Sequence, residues 1–360
     1  MRGIAGILRR DGGPVPNKWS QLLEQSLLLG GGLTYRFEDS IPVEHGDLHI
    51  LLLSGSDLGS DPEGGARKIV LSDVSGNCAF AQWNEETLQL ELRREGTGQV
   101  PLYWLDLDEA GDGLVFCTNP LPLLQIAHEL ELPSSLQQGL GEYLQLGFAI
   151  EGGALLSPVC SIPLDEEHLK STSDVQILDC DISTTPAQDV LTLVQVLGKP
   201  FADFNVLSTL WQYRYAKEKG LAVFDSVLAP VSSLQQYPFL QRVLPETQVE
   251  SMLQEHYTKA KIIERSVIAK YVGVELHLSV GRNPIRPVPF PLAQWFRNAQ
   301  SNIGKLANDT LRSPDAFLDL PIKQKDCVAL LDAHCDGMQD NSDQIFALLT
   351  LALWRQQVLA

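Results

Sequence analysis

The hydrophobic pattern changes its period once along the chain, and this change constrains the fold more than any other feature. Between Thr34 and Asn119 apolar and polar residues alternate, and turn sequences such as Glu95-Gly-Thr-Gly98 interrupt the alternation. A period of two places successive side chains on opposite faces of a strand, so this region predicts an antiparallel sheet. Strands are predicted at residues 3–8, 49–53, 68–72, 78–83, 88–93, 101–105 and 114–118.

The second half of the chain has the spacing of helices instead. Helices are predicted at residues 186–197, 205–219, 240–256, 257–272, 291–310, 325–334 and 342–358, with one short strand at 222–224. Three more helices are predicted in the first part of the chain. One begins at Pro16, and the other two span residues 121–131 and 136–146. We therefore predict an α/β (α+β) chain with a first domain over 1–150, an irregular connection over 151–185 and a mostly helical domain over 186–360.

Charge and cysteine usage exclude several functional classes. The chain has 27 Lys and Arg against 45 Asp and Glu, a net charge of −18, which repels phosphate backbones and makes nucleic acid an improbable partner. No apolar run is long enough to span a bilayer, so we expect no membrane association. The six cysteines form no Cys-x-x-Cys pair, which indicates free thiols, no metal site and a cytoplasmic location.

Several segments resemble one family, and they occur in the same order as in that family. Gly76-Asn-Cys-Ala-Phe-Ala-Gln-Trp-Asn84 resembles the sequence GxFAFAxWD, and Gly198-Lys-Pro-Phe-Ala-Asp203 resembles DEPFAD. Both motifs are typical of glutamine-hydrolysing asparagine synthetases, which are class II (N-terminal-nucleophile) glutamine amidotransferases. Further similar segments lie at 1–7, 92–104, 116–124, 291–297, 330–334 and 345–354.

The resemblance implies an αββα sandwich in which an N-terminal cysteine hydrolyses glutamine, followed by a synthetase domain that activates aspartate with ATP. The family nucleophile position is Arg2 in this chain. A guanidinium group stays protonated and cannot attack a carbonyl. The family's glutamine-holding segment should lie near residues 51–61, which do not match it. We therefore expect no glutaminase activity.

The synthetase motifs are also incomplete. The glycine-rich pyrophosphate loop has no counterpart before Gly198, and the second phosphate loop, expected after Val223, lacks glycine. Asp225 lies in that second segment, and we interpret it as a surface or helix-capping carboxylate. The family's acid/base position is Lys199, which has the opposite charge. The family lysine aligns at Ile285, and its neighbour Arg286 offers the same charge.

Two other polar motifs have structural interpretations. His334 and Cys335 are adjacent and cannot readily present both side chains to one metal, so we expect a histidine at a helix end beside a buried thiol. Arg93 and Arg94 lie in a predicted strand next to Glu95, which suggests structural pairing rather than anion binding.

We therefore predict no catalytic, cofactor-binding or metal-binding residue. The sequence favours a pseudoenzyme, a catalytically silent asparagine synthetase homologue that serves as a scaffold or regulatory subunit for a protein partner or a second copy. Two alternatives remain open. One is an ATP-dependent amide-bond-forming ligase with a rebuilt active site, and the other is a small-molecule sensor that uses the vestigial cleft.

Overall fold

A computed structural model of the chain describes residues 3–29, 33, 35–43, 46–54, 66–72, 78–95, 99–107, 113–150, 153–162, 181–227, 247–280, 290–317 and 319–360. Within these ranges the chain forms ten α-helices and eleven strands, so the protein is of mixed α/β class. Strands dominate up to residue 117, and helices dominate from residue 186. The change of hydrophobic period thus predicted the change of secondary structure.

Six strands form the larger sheet, in the order β2-β3-β1-β8-β7-β9, with antiparallel neighbours throughout. They are β1 (Ile4–Arg9), β2 (Tyr35–Val43), β3 (Gly46–Ser54), β7 (Tyr103–Asp106), β8 (Gly113–Cys117) and β9 (Cys160–Ser161). Gly6, on central strand β1, lies so close to the Phe116 ring and the Leu51 carbonyl that a Cβ would come within 2.6 Å of both. Glycine at this position therefore lets the neighbouring strands pack closely.

A smaller antiparallel sheet packs on one face of the larger one. It contains β4 (Ala66–Ser72), β5 (Cys78–Asn84) and β6 (Gln89–Glu95). Leu52 and Phe116 of the larger sheet share an apolar cluster with Ala81 and Trp83 of β5. In the described ranges no helix packs extensively on the outer face of the smaller sheet. The layers seen there are therefore one helical layer and two sheets.

The opposite face of the larger sheet packs against helices. Ala5, Leu53 and Val115 on this face contact α1 (Asn17–Leu28) and α2 (Pro120–Glu129) within one large apolar cluster. Helix α3 (Leu136–Leu146) and a short 3₁₀ turn (Ala154–Leu156) extend the same layer.

In the described ranges, the second half contains seven helices and a two-stranded parallel sheet. The helices are α4 (Pro186–Leu197), α5 (Asn205–Lys219), α6 (Thr247–Val272), α7 (Leu292–Arg297), α8 (Asn302–Leu311), α9 (Gln324–Cys335) and α10 (Ser342–Val358). The sheet pairs β10 (Val223–Val227) with β11 (Leu276–Val280).

Two sequence predictions were wrong in detail, and three strands were not predicted. The two helices predicted at 240–256 and 257–272 are continuous from Thr247, because neither Gly nor Pro interrupts the sequence around His256. The single helix predicted at 291–310 is two helices, since Ser301 accepts a hydrogen bond from the Gly304 amide and begins α8. Strands β2, β9 and β11 were not predicted.

Contacts join the two halves. The Tyr143 hydroxyl of α3 lies 3.1 Å from the Ala347 carbonyl oxygen and 3.1 Å from the Thr350 hydroxyl of α10. The side-chain amide of Asn119 donates a hydrogen bond to the Gln195 carbonyl oxygen at 3.0 Å. One apolar cluster runs through both halves, although the domain limits at 150 and 186 stay predictions. In the described part of the chain, no helix is long and apolar enough to cross a membrane.

Candidate functional site

The positions that the family resemblance singles out are only partly described by the structure. Arg2, Ile285 and Arg286 lie outside the described residues, as do 228–246, where most of the second phosphate loop would be. Lys199, Asp203 and Asp225 are described. The candidate site is therefore built from Lys199, Asp203 and Asp225 and the side chains around them.

Lys199 and Asp203 lie on one short segment between α4 and α5. This segment is fixed at both ends, because the Gly198 carbonyl accepts from the Trp354 indole at 3.0 Å and the Phe201 carbonyl accepts from Thr350 at 2.8 Å. Gly198 has a positive φ of 66°, and a Cβ there would lie 2.1 Å from an Asn119 side-chain oxygen. Side chains of α10, the last helix, thus hold the segment in place.

Asp203 is neutralised by a lysine from a distant helix. Lys261 on α6 places its ammonium 2.7 Å from the Asp203 carboxylate and 3.0 Å from Glu264. The ammonium also lies 5.7 Å from the centroid of the Tyr257 ring, within cation–π range. The second carboxylate oxygen of Asp203 accepts from the Asn205 amide at the start of α5. Asp203 therefore both neutralises Lys261 and accepts a hydrogen bond from the first backbone amide of α5.

The ionisation of this cluster follows from its geometry. Burial is the largest single influence and would raise the pKa of Asp203, but the charge and hydrogen bond of Lys261, with the Asn205 amide and the Arg265 charge, together hold that pKa below its ordinary value. The two carboxylates raise the pKa of Lys261 above its ordinary value, against the effect of burial. Burial raises the pKa of Glu264. Lys261 is therefore a fixed cation and Asp203 a fixed anion.

Asp225 is fully buried, so its interpretation as a surface or capping carboxylate was wrong. Its side chain is 0% exposed and accepts from Arg265 at 2.7 Å and from the Tyr213 hydroxyl at 3.0 Å. The same Arg265 nitrogen donates to Thr209 at 2.9 Å. Strand β10 carries Asp225 inward because alternate residues of the strand, Val223 and Asp225, face the helices.

Lys199 is buried too, with 6% of its surface exposed. It lies next to Gly198 on the tethered segment, and it participates in an interaction with its surroundings. A buried cation in this position cannot act as a general base while it is protonated. The structure therefore places Lys199 inside the protein rather than on the wall of an open cleft.

The side chains of this cluster do not fit magnesium-bound ATP. A carboxylate that ligates Mg²⁺ needs an oxygen free to coordinate the ion, and a phosphate site needs exposed backbone amides. Asp225 is enclosed and bonded to Arg265 and Tyr213, and Asp203 is bonded to Lys261 and a backbone amide. Within the described residues, no group of His, Cys, Asp and Glu is arranged to hold a metal ion.

Sequence reasoning missed Lys261, Glu264 and Arg265. Their signal is present, because these charges interrupt an otherwise apolar stretch of a helix that contains Ile262 and Ile263. Lys261 and Glu264 are three residues apart, a spacing that brings side chains together on one helix face. Their partners Asp203 and Asp225 lie far away in sequence, so the sequence did not show that the charges were paired.

The two other polar motifs have structural contacts: the helix-end position predicted for His334 is confirmed, but the neighbouring Cys335 thiol is only partly buried rather than buried. His334 is fully buried near the end of α9, where Nε2 lies 2.9 Å from the Ala293 carbonyl oxygen and Nδ1 accepts from the Asn341 amide. Arg94 is buried and donates to the carbonyls of Val100 and Ile162, while Arg93 lies 3.4 Å from Glu91. The five described cysteines are free thiols.

No protein-family model matches the chain, and no curated protein matches its sequence.

Proposed function

We propose that this chain is a catalytically silent member of the asparagine synthetase family that serves as a scaffold or regulatory subunit for a protein partner in the cytoplasm. The family assignment rests on the ordered sequence motifs. The lack of catalysis rests on Arg2, on Lys199 and on the missing glycine-rich loops.

One structural observation supports the proposal most strongly. Asp225, the acidic residue in the middle of strand β10, is enclosed and bonded to Arg265 and Tyr213. Desolvated charges of this kind are retained only when they are paired, and a carboxylate with 0% of its side chain exposed is not open to a ligand from solvent. The described part of the synthetase region thus uses its buried charges to hold helices and strand together.

The first experiment measures chemistry. The purified full chain is assayed for glutamate release from glutamine, and for ATP binding by calorimetry with Mg²⁺, beside an intact asparagine synthetase. We expect neither glutamate above a buffer blank nor saturable heat. We also expect Arg2→Cys to restore no glutaminase activity, because the glutamine-holding segment has no match in the sequence.

The second experiment looks for the partner. The tagged chain is recovered from native extract at low salt, co-purified proteins are identified, and the complex is rebuilt from purified components and weighed by light scattering. A rebuilt complex of defined stoichiometry, either with another protein or with a second copy, supports the scaffold. Micromolar ATP binding would instead support the ligase, and a chain that stays monomeric and recovers no protein would contradict the scaffold.

A further inference from the structure

His334 is a fully buried histidine at the point where α7, α9 and α10 meet. Its ring Nε2 lies 2.9 Å from the carbonyl oxygen of Ala293 on α7. Its Nδ1 lies 3.0 Å from the backbone nitrogen of Asn341, the residue that immediately precedes α10. The ring also meets the Phe296 ring edge to face, with centroids 6.4 Å apart. One side chain of α9 therefore contacts both neighbouring helices.

The two hydrogen-bond partners fix the tautomer of the ring. A backbone amide can only donate a hydrogen bond, and a carbonyl oxygen can only accept one. Nδ1 therefore accepts from Asn341 and carries no proton, whereas Nε2 carries the proton that it donates to Ala293. A second proton on the ring would place an N–H at Nδ1 directly against the N–H of Asn341. The neutral imidazole fits this position, and the imidazolium cannot keep the contact with Asn341.

An acceptor for a protonated Nδ1 lies beside the ring. The Asp340 carboxylate is 3.5 Å from Nδ1, the one carboxylate within 4 Å of this ring in the described part of the chain. The Asp340 side chain is 58% exposed, so protons from solvent reach this edge of the ring. Burial would raise the pKa of Asp340, but hydrogen bonds from Ser342 and the charges of His334 and Arg297 hold it below its ordinary value. Asp340 is therefore ionised when the ring takes up a proton.

Other charged groups lie on the elements packed against α9. The Arg297 guanidinium donates to the His334 carbonyl oxygen at 3.2 Å, and its positive charge opposes a charge on the ring. Besides Asp340, the titratable and charged groups on these elements include Arg297 of α7, Arg312 at the end of α8, Asp343 of α10, and Asp332, Cys335 and Asp336 on or next to α9. Arg312 is paired with Asp332. Asp340 and Arg297 therefore influence the protonation of the ring in opposite directions.

The Asn341 contact lies at the start of the last helix. The Asn341 carbonyl oxygen accepts from the Ile345 amide at 2.9 Å, in the first turn of α10. Further along the same helix, Thr350 and Trp354 hold the segment between α4 and α5. The protonation of His334 thus bears on the beginning of the helix that positions this segment.

From this geometry we propose that His334 is a proton-dependent switch in the turn between α9 and α10. Neutral His334 holds the Asn341 backbone amide. A proton taken up from solvent at Nδ1 moves the hydrogen bond of that nitrogen to the Asp340 carboxylate and releases Asn341. Nε2 donates to Ala293 in both states, so the ring stays attached to α7. The switch is independent of the scaffold function proposed above.

The test follows the Asn341 amide by NMR in the full chain. Its hydrogen exchange is measured from about pH 8 to about pH 5, the range in which histidines change charge. Exchange rates are converted into protection factors, which removes the intrinsic pH dependence of exchange. Nitrogen chemical shifts of the ring report its tautomer and charge. The amide of Leu351, in the middle of α10, reports any general unfolding in acid.

Three variants separate the switch from other effects of acid. His334→Gln presents an acceptor oxygen and a donor nitrogen on one flat group and takes up no proton. Asp340→Asn removes the carboxylate charge but keeps an oxygen for the hydrogen bonds from Ser342. His277→Gln is the matched control, because His277 is 40% exposed and lies on β11.

We expect the tautomer with the proton on Nε2 at the upper end of the pH range. Toward the lower end, the protection of the Asn341 amide should fall about tenfold, as one hydrogen bond is lost, while Leu351 stays protected. His334→Gln should abolish this fall, and His277→Gln should leave it unchanged. Asp340→Asn should move the fall to lower pH, because the protonated ring then lacks its partner.

Three results would overturn the switch. They are a proton on Nδ1 in the neutral ring, a ring that stays neutral down to about pH 5, and an equal fall in protection in the natural chain and in His334→Gln. If His334→Gln does not fold, the ring shifts of the natural chain and of Asp340→Asn still decide. Identical titration of the ring in these two chains would then contradict the role of Asp340.

Discussion

Two interior regions of the molecule are buried to a similar depth but hold different chemistry. Between the two sheets, Leu52, Phe116 and Trp83 pack as an apolar layer. Beneath β10, the interior contains the Asp225–Arg265 pair, with Asp203 and Lys261 nearby. Burial of apolar side chains stabilises the folded state without requiring a specific partner. Buried ions need a partner of opposite charge, and the pair adds little net stability. The helical half should therefore be sensitive to single charge changes, and the sheet half to lost volume.

The largest expected effect is the loss of Asp225. Asp225→Asn keeps the size of the side chain but leaves the Arg265 charge without its partner, and we expect a loss of about 3–5 kcal/mol in the free energy of unfolding. Urea denaturation of the full chain measures it. Asp332→Asn is the matched control, because its pair with Arg312 is about half exposed, and there we expect less than about 1 kcal/mol. Similar losses in both variants would show that the comparison between interior and surface pairs is wrong.

The sheet half should respond to volume instead. Leu52 is fully buried between the sheets, and Leu52→Ala should cost about 2–4 kcal/mol through lost burial and the cavity that remains. Leu28→Ala is the control, since Leu28 is 56% exposed at the end of α1, and it should change stability little. Added salt should leave the Leu52→Ala loss unaltered. If the stability lost in Leu52→Ala varied strongly with salt, the sheet interior would not differ from the charged interior as proposed.

The sequence predicted the secondary structure of these regions better than their chemistry. Alternation and turn residues were sufficient for β5 and β8, because strand periodicity is local. Asp225 was assigned to the surface because a lone carboxylate usually lies there, and its partner Arg265 is forty residues away. Pairing across that separation is created only by the tertiary fold. The motif positions Arg2 and Arg286 lie outside the described residues, so their roles stay predictions.

A pH measurement tests whether the buried network of Asp225, Arg265 and Tyr213 keeps the Tyr213 hydroxyl protonated. Burial, reinforced by Asp225, raises the pKa of Tyr213 well above its ordinary value of 10. The folded chain therefore keeps this proton above pH 10 while the unfolded chain loses it, so stability falls as the pH rises from there. One such group should contribute a loss of about 1 kcal/mol between about pH 10 and about pH 11. Tyr213→Phe should remove that share of the slope.

Tyr215→Phe is the control for the pH measurement. It removes a hydroxyl from the same helix two positions away, at a less buried site. The slope of the free energy of unfolding against pH is compared between this variant and Tyr213→Phe. If Tyr213→Phe and Tyr215→Phe had the same slope, the Tyr213 hydroxyl would not be held by the network.

The smallest expected effect compares two glycines of α3, the helix that ties the sheet half to α10. A Cβ at Gly141 would meet nothing within 4 Å, so Gly141→Ala should stabilise the chain by up to about 1 kcal/mol through helix propensity alone. A Cβ at Gly139 would lie 1.9 Å from the Leu155 backbone nitrogen, so Gly139→Ala must displace the 3₁₀ turn and should destabilise. Melting temperatures of the two variants give opposite signs if α3 packs on that turn as described. A stabilising Gly139→Ala would mean that α3 does not pack against the 3₁₀ turn as closely as described.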